Sequence, residues 1–473
     1  MQDSEPVVVV GAGFVGLPLA AALAAGRIGG GRRRVVLLER SGERLDSIRM
    51  AMVEKREPLG EPGLRQLMSE AYNDLDLESD AASVIPSTLG AMSRGFVAFV
   101  CVGTPPDLEH SPTRLDHSVL LEAIREVVRL GARMVIVRST ISPIALPFLR
   151  AAALGDGAGA FLILAPEFLR EGHAVEDVLR PSRIIVGADD LALGELVVRA
   201  LQPTGDRDSP LWPERSSYNV PGLVTDLASA SIAKLAANAL LAERAAWATR
   251  TAWVAEAYGG DAAEVYRAVG LDPRLSTVGV GPGLGVGGPC LPKDSREFGQ
   301  LADDASDWLP SGASGIRRLA IRFIVDEIRR IGSLEPTPVV VIGLGFKPDS
   351  SDPRESPAAE LARDLAKTIE TWAISDEPER VALVDRLHVV SELDEYPPSW
   401  MAAVLCRRPR GTDFEILLAA RTVFDPYALL SIEQAGILLA GGATYRGTGR
   451  GEAWMKRAQA WVAENRARVG KGS

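Results

Sequence analysis

Cys290 stands between two prolines in VGGPCLPKD (Val286–Asp294), behind a run of glycines and just ahead of Lys293 and Asp294. The chain has three cysteines, and this one sits among turn residues rather than in an apolar run. A thiolate is favoured by a nearby cation, which Lys293 can supply, and Asp294 can handle protons. Cysteine in such a setting suggests a covalent intermediate. Upstream, GVGPGLGVGG (Gly279–Gly288) lacks most side chains and can approach a ligand closely through Gly283, Gly285 and Gly287. AKLAAN (Ala233–Asn238) sets Lys234 and Asn238 four residues apart, on one helix face among alanine and leucine. The pair can stabilise charge on a substrate oxygen, or Lys234 can be an ordinary surface lysine. APEFLREG (Ala165–Gly172) offers Glu167 and Glu171, which share a face if the segment is helical. They can act as a general base or begin a solvated helix.

The elements that must carry these residues are legible as alternation. Strand-like runs at Val7–Val10, Val35–Glu39, Val97–Val102, Met134–Val137, Leu162–Ala165 and Ile184–Val186 alternate with helical patterns, which implies βαβ units and a parallel sheet. A Pro/Asp-rich stretch, Gln202–Pro221, reads as a linker or long loop. Asp226–Tyr258 is rich in strong helix formers and nearly free of breakers, so it predicts a helix long enough to be a domain spine or a dimer interface. Alternation resumes at Val339–Ile342 and continues through Val381–Asp385, Ala402–Cys406 and Arg421–Asp425, with a helical tail from about Glu452. The expected fold is α/β: two Rossmann-like doubly wound domains joined by a long central helix. The expected domains are an α/β domain at 1–212, a helical domain with the cysteine loop at 213–332, and a second α/β domain at 333–473.

VVVVGAGFVG (Val7–Gly16) puts Gly11, Gly13 and Gly16 directly after a strand and at a helix start, where a pyrophosphate can meet free N–H groups. The next strand ends in Glu39, placed to bind ribose hydroxyls and to repel a 2′-phosphate, which favours NAD over NADP. Two further strand ends give VGTPP (Val102–Pro106) and RSTISP (Arg138–Pro143) on the ligand edge of the sheet. Thr104, Ser139 and Thr140 there can contact the cofactor or cap helices. With this domain attached, one reaction fits the cysteine: an alcohol is oxidised to an aldehyde, trapped as a thiohemiacetal, oxidised again to a thioester and hydrolysed to an acid.

The bulk numbers exclude other classes. A net charge of −10 argues against a general nucleic-acid binder. Three cysteines without a CxxC spacing make neither a disulfide framework nor a metal site, and they fit a reducing cytoplasm. The four histidines are scattered, and no run is long enough for a membrane span.

The ordered set GAGFVGLPLA, EPGL (Glu61–Leu64), VGTPP, STISP, PEFLREG, KLAAN, LDPR (Leu271–Arg274), GGPCLPKD and GLGFKPDSSDPRESP (Gly343–Pro357) resembles the UDP-glucose/GDP-mannose dehydrogenase family over nearly the whole chain. That family oxidises the C6 alcohol of a nucleotide sugar to a carboxylate with two NAD. The resemblance implies Cys290 as nucleophile, Glu167 as acid/base, Lys234 and Asn238 at the C6 oxygen and a water, and Asp294 and Thr140 assisting. It implies Phe14, Val15, Arg44, Thr104, Pro105, Ser139, Glu171, Lys293 and Arg354 at the cofactor. It further implies Phe168, Leu169, Arg170, Glu171 and the glycine loop at the sugar nucleotide, with Phe346 and Lys347 reaching it from the third domain. Arg274 would reach the sugar bound by a neighbouring subunit, which implies a homodimer or larger. The sequence departs at Pro143-Ile144-Ala145 (Pro-Gly-Thr in the family), at Ser231 (often glutamate) and at FDPY (Phe424–Tyr427), where an arginine is usual. The cysteine motif mixes features of UDP-N-acetylhexosamine and UDP-glucose members, which leaves a UDP-sugar as the expectation. A two-electron β-hydroxyacid-type dehydrogenase shares the glycine turn and the lysine–asparagine pair but needs no covalent trap. A non-catalytic NAD- or sugar-nucleotide-binding protein would not need the set Glu167, Lys234, Asn238, Cys290 and Asp294.

Overall fold

The computed structural model describes residues 7–79, 95–155, 159–204, 220–276, 281–301, 309–332, 338–393 and 399–469. Most of the expected linker at Gln202–Pro221 lies outside them. The chain forms two compact units whose boundary falls inside the long helix, between Ala237 and Asn238. The helix itself runs Leu227–Ala257, within one residue of the predicted span at each end.

The first unit is built on an eight-stranded sheet. Its strands are β1 (Val7–Val10), β2 (Val35–Leu38), β3 (Leu75–Glu78), β4 (Phe96–Val100), β7 (Ala132–Val137), β8 (Phe161–Leu164), β9 (Ile184–Ala188) and β10 (Gly222–Thr225). The order is β10-β9-β8-β7-β4-β1-β2-β3. All neighbours are parallel except β8 and β9, which run antiparallel with Leu164 opposite Gly187. A small hairpin, β5 (Pro106–Asp107) with β6 (Ser111–Leu115), rises from the loop after β4. Alternate residues of the central strands feed two cores: Val7, Val9, Leu37 and Phe99 on one face, Val8, Val36, Ala98 and Val100 on the other. Burial on both faces is why these strands read as continuous apolar runs.

The second unit holds a six-stranded, all-parallel sheet: β11 (Val339–Ile342), β12 (Thr371–Ile374), β13 (Leu387–Val390), β14 (Trp400–Leu405), β15 (Ala420–Asp425) and β16 (Thr444–Gly447). Its order is β13-β12-β11-β14-β15-β16, which reverses direction between β11 and β14 as in a doubly wound fold. The expected strand at Val381–Asp385 is not formed. A 3-10 turn at Pro378–Arg380 precedes it, and the chain reaches the sheet only at Leu387. Pro378 and charged residues lead into that run and Arg386 follows it, while Thr371–Ile374 and Leu387–Val390 pair along their length. Among the described residues no helix is long and apolar enough to cross a membrane.

Trp400 opens β14 and is fully buried among Val340, Ile342 and Leu417. Trp400→Ala is expected to destabilise the second sheet by about 3–5 kcal/mol through lost burial and an unfilled cavity. Trp400→Phe should lose distinctly less, as read by urea denaturation of the two variants.

Candidate active site

The glycine turn follows β1 with the geometry a dinucleotide needs. Gly11 has φ +99°, and a Cβ there would come 2.8 Å from the Cys101 carbonyl oxygen. The helix it leads into, Gly16–Ala24, has no side-chain cap, but Leu17 N–H already donates to the Gly13 carbonyl and Pro18 has no N–H, so a phosphate would meet the turn just ahead of it. Glu39 directly follows β2, and its carboxylate accepts from the Ala12 N–H at 2.9 Å and the Ser41 N–H at 3.1 Å. It therefore braces the turn from the position where a ribose would be bound. Arg44 lies on the helix Gly42–Val53, its N–H capped by Ser41, and its guanidinium borders the open side of Gly13. Phe14 and Val15 are half-buried in the turn itself. The residues present fit an NAD pyrophosphate and adenine ribose.

The strand ends of β4 and β7 are tied to each other. Thr104 Oγ1 donates to the Thr140 carbonyl at 2.8 Å, and Ser139 Oγ donates to the Val102 carbonyl at 2.7 Å. These hydroxyls brace backbone, and Pro105 remains exposed on the rim. Pro143–Ala145 forms a 3-10 turn closed by Ala145 N–H to the Ser142 carbonyl, so the departure from Pro-Gly-Thr keeps a turn.

Glu167 follows β8 and is not helical, nor is Glu171. The two acids sit in an extended loop rather than on one helix face. Glu167 is 8% exposed and Lys234 4%, which removes the surface-lysine reading. Lys234 Nζ donates to Glu167 Oε1 at 3.1 Å, and Glu167 Oε2 accepts from the Leu169 N–H at 2.6 Å. Burial alone would raise the Glu167 carboxyl. The Lys234 charge, the Leu169 bond and the more distant Arg138 outweigh it and hold the group below the ordinary carboxylate value. Arg138, at the end of β7, was quoted in the sequence only as the lead of RSTISP. Its own guanidinium is pulled down by burial and sits between the fields of Cys101 and Glu167. Burial pushes the Cys101 thiol up to about 12, partly opposed by Arg138, so this cysteine is an inert neighbour.

Two packing details fix Lys234. Gly187 in β9 lies under the long helix, where a Cβ would come 2.6 Å from that of Ala230. Ser231 Oγ, one turn before Lys234, donates to the Ile141 carbonyl at 2.9 Å. Serine at the position where the family often has glutamate thus anchors the helix to the STISP loop. Phe168, beside Glu167, carries the Arg183 guanidinium 3.8 Å from its ring centroid and the Lys234 ammonium at 5.2 Å. Leu169 is partly exposed, and Arg170 points outward to Asp177.

In the second unit, Cys290 is exposed, not disulfide-bonded, and immediately precedes the helix Leu291–Leu301. That end of a helix favours an anion. Asp294, fully buried in the first turn, accepts from Asn238 Nδ2 at 2.6 Å and from Lys293 Nζ at 2.5 Å. Lys293 is thus directed to Asp294. The glycine loop differs from expectation in what fills it. The space beside Gly283 is taken by the Tyr427 ring, that beside Gly285 (φ +96°) by Arg317, and that beside Gly287 by Pro357 and Phe346. Here the absent side chains admit the chain's own residues. Arg317 donates to the Val286 and Glu355 carbonyls and pairs with Glu360 on the helix Pro357–Ala366. No motif marked it. Phe346 and Lys347 follow β11, with the ammonium 5.5 Å from the ring centroid. Arg354 donates to Asp352 at 2.7 Å, and Arg274 is exposed and paired with Asp272. In FDPY, Asp425 accepts from Leu429, Leu430 and Tyr445 and serves as a buried anchor.

Residues 5–203 match the NAD binding domain, and residues 228–310 the central domain, of the UDP-glucose/GDP-mannose dehydrogenase family. The chain belongs to that family. It is 25% identical over 471 residues to UDP-glucose 6-dehydrogenase YwqF of Bacillus subtilis (strain 168), covering 94% of this chain and 97% of the relative. It is 29% identical over 377 residues to UDP-glucose 6-dehydrogenase AglM of Haloferax volcanii, covering 76% and 80%. The solved UDP-glucose dehydrogenase of Pyrobaculum islandicum superposes with a TM-score of 0.75 at 25% identity, covering 94% of this chain and 98% of that one. The expected fold, two Rossmann-like domains with a long central helix, is the fold found. The family's cofactor is NAD, and the chain is an NAD-dependent oxidoreductase.

Gly11→Ala is expected to weaken NAD binding at least tenfold in calorimetric titration while the far-ultraviolet dichroism is retained. A lowered carboxyl value means that Glu167 adds stability above the ordinary carboxylate range, and that this is lost as pH falls through its depressed folded value. In Lys234→Met burial is opposed only by Leu169 and Arg138. The Glu167 carboxyl, followed by carbon NMR, is then expected to titrate higher than in the parent.

Proposed function

We propose that this protein is a nucleotide-sugar 6-dehydrogenase that oxidises the C6 alcohol of a UDP-sugar, UDP-glucose or a UDP-N-acetylhexosamine, to the carboxylate through a cysteine-bound intermediate. The observation that carries the reading is the Cys290 setting: an exposed thiol at a helix start, with a buried aspartate one turn on that is bonded to Asn238. A two-electron dehydrogenase has no use for that thiol. The relatives named UDP-glucose 6-dehydrogenase support the substrate class.

NAD, held by the glycine turn and Glu39, supplies a hydride acceptor for each of the two oxidations. Lys234 and Asn238, one turn apart on one helix, hold the C6 oxygen as it loses its proton. The Cys290 sulfur adds to the aldehyde carbon, the carbonyl oxygen taking a proton, to give a thiohemiacetal. Loss of hydride from that carbon gives the thioester. Glu167, kept ionised by Lys234, takes a proton from the water that attacks the thioester. The C–S bond breaks, and the thiol and the carboxylate are released. Per sugar, one water enters and three protons leave. Glu171, Lys293, Thr140 and Arg354 support the cofactor or the reacting groups. Phe168, Leu169, Arg170, Phe346 and Lys347 contact the sugar nucleotide, and Arg274 reaches the site of a neighbouring subunit in a homodimer or larger assembly. The working domains are 1–212, 213–332 and 333–473, and the enzyme acts in the cytoplasm.

The decisive measurement is NADH formed per sugar consumed, with UDP-glucose, UDP-N-acetylglucosamine and UDP-N-acetylmannosamine. A ratio of two is expected with one of them. Cys290→Ser should lose turnover by at least 100-fold while binding the same sugar nucleotide. A ratio of one, or an active Cys290→Ser, would overturn the covalent route.

A further inference from the structure

The EPGL segment has no part in the mechanism above, yet its Glu61 is among the most buried carboxylates of the first unit, 2% exposed. Its two oxygens accept from backbone N–H groups more than 100 residues on: Oε1 from Gly172 at 2.9 Å and Oε2 from Ala174 at 3.0 Å. No cation pairs with it among the described residues. Taking a carboxylate out of water is costly, and two N–H bonds are what holds it there.

Those two N–H groups lie at the far end of the loop that begins with Glu167. The same loop gives its Leu169 N–H to Glu167 and its Arg170 N–H to Asp177, at 2.6 Å and 2.7 Å. Three carboxylates from three places thus fix successive N–H groups of one irregular segment. Glu167 and Asp177 belong to the segment and the short helix after it. Of the three, Glu61 comes from a distant part of the chain, just ahead of the helix Leu64–Ala71, whose Leu64 and Leu67 are core residues.

We propose that Glu61 is a positioning residue for the sugar-nucleotide loop Glu167–Gly172, setting that loop's backbone from its far end. This rests on the reading of the loop as a substrate contact. Both Glu61 oxygens are taken by backbone N–H groups, so it acts through the loop.

In Glu61→Gln one acceptor is replaced by an amide N–H that meets a backbone N–H, so the loop end loses a bond while the shape is kept. The expected result is a rise of tenfold or more in KM for the sugar nucleotide, with kcat reduced less than threefold. Glu61→Asp, which keeps both acceptors, should recover part of the KM. Amide hydrogen exchange at Gly172 and Ala174 should quicken at least tenfold in Glu61→Gln, and exchange in β1 and β4 should be unchanged. Unchanged KM with slower turnover, or uniform quickening of exchange across the unit, would overturn the proposal and leave Glu61 a fold-stability residue. The exchange readout needs no substrate. If the parent chain turns over no sugar nucleotide, that failure belongs to the functional reading, and exchange at the two amides still decides Glu61.

Discussion

A lysine ammonium enclosed with one carboxylate constrains the first unit more than any other contact. Lys234 and Glu167 are both almost wholly out of water. A buried pair of this kind contributes little net stability, but leaving either charge alone would be severely destabilising. The structure around it must therefore hold the two atoms together, and its details read as means to that end. Gly187 lets the long helix lie directly on β9, Ser231 pins the helix to the loop after β7, and the antiparallel turn of β9 against β8 brings Arg183 onto Phe168. Arg138 adds a second positive field. A carboxylate so surrounded stays ionised despite burial, which is what the proposed role of a base acting on water requires.

The same device recurs across both units. The chain is acidic overall, and several of its enclosed carboxylates are bonded to backbone N–H groups, with or without a cation beside them. Glu39 holds the glycine turn, Glu61 the far end of the loop that begins at Glu167, Asp425 the FDPY turn, and Asp352 the N–H of Arg354. A carboxylate bonded in this way fixes an irregular loop at a chosen atom. Loops are where a sheet edge presents its chemistry, and they lack the ladder of bonds that orders a strand or helix.

Much of this was legible in the sequence, for identifiable reasons. The central strands β1, β2, β4, β11 and β14 are buried on two faces and so appear as bare apolar runs. The long helix is legible because thirty residues pass without a breaker. Cys290, Lys234, Asn238 and Glu167 stand out because each is a reactive type in surroundings that do not otherwise call for it. Two edge strands of the first sheet were missed, Leu75–Glu78, which alternates charge with leucine, and Gly222–Thr225, which is short and opens with glycine, and so was Thr371–Ile374 inside the second sheet. Val381–Asp385 had the composition of a strand but no partner to pair with. Glu61, Ser231 and Arg317 were illegible for a different reason. Each acts across a long sequence separation on a backbone group, and a backbone N–H or carbonyl carries no residue type to read.

The glycine-rich run before Cys290 shows how composition can suggest the right segment and the wrong cause. Missing side chains look like room for a ligand. In the folded unit that room is taken by Tyr427, Arg317, Pro357 and Phe346, all from the Rossmann-like part of the chain or the helix leading to it. The loop is consequently a packed seam, with Arg317 donating to the carbonyl of Val286 within it. Its glycines fix where Pro289 and Cys290 emerge, because any Cβ there would displace the rings and backbone against which the run is set. The thiol's position is in this sense determined from the C-terminal sheet: by the loop after β11, which carries Phe346, and by the turn after β15, which carries Tyr427. The FDPY departure, which removes an arginine, supplies in Tyr427 a ring that closes on Gly283.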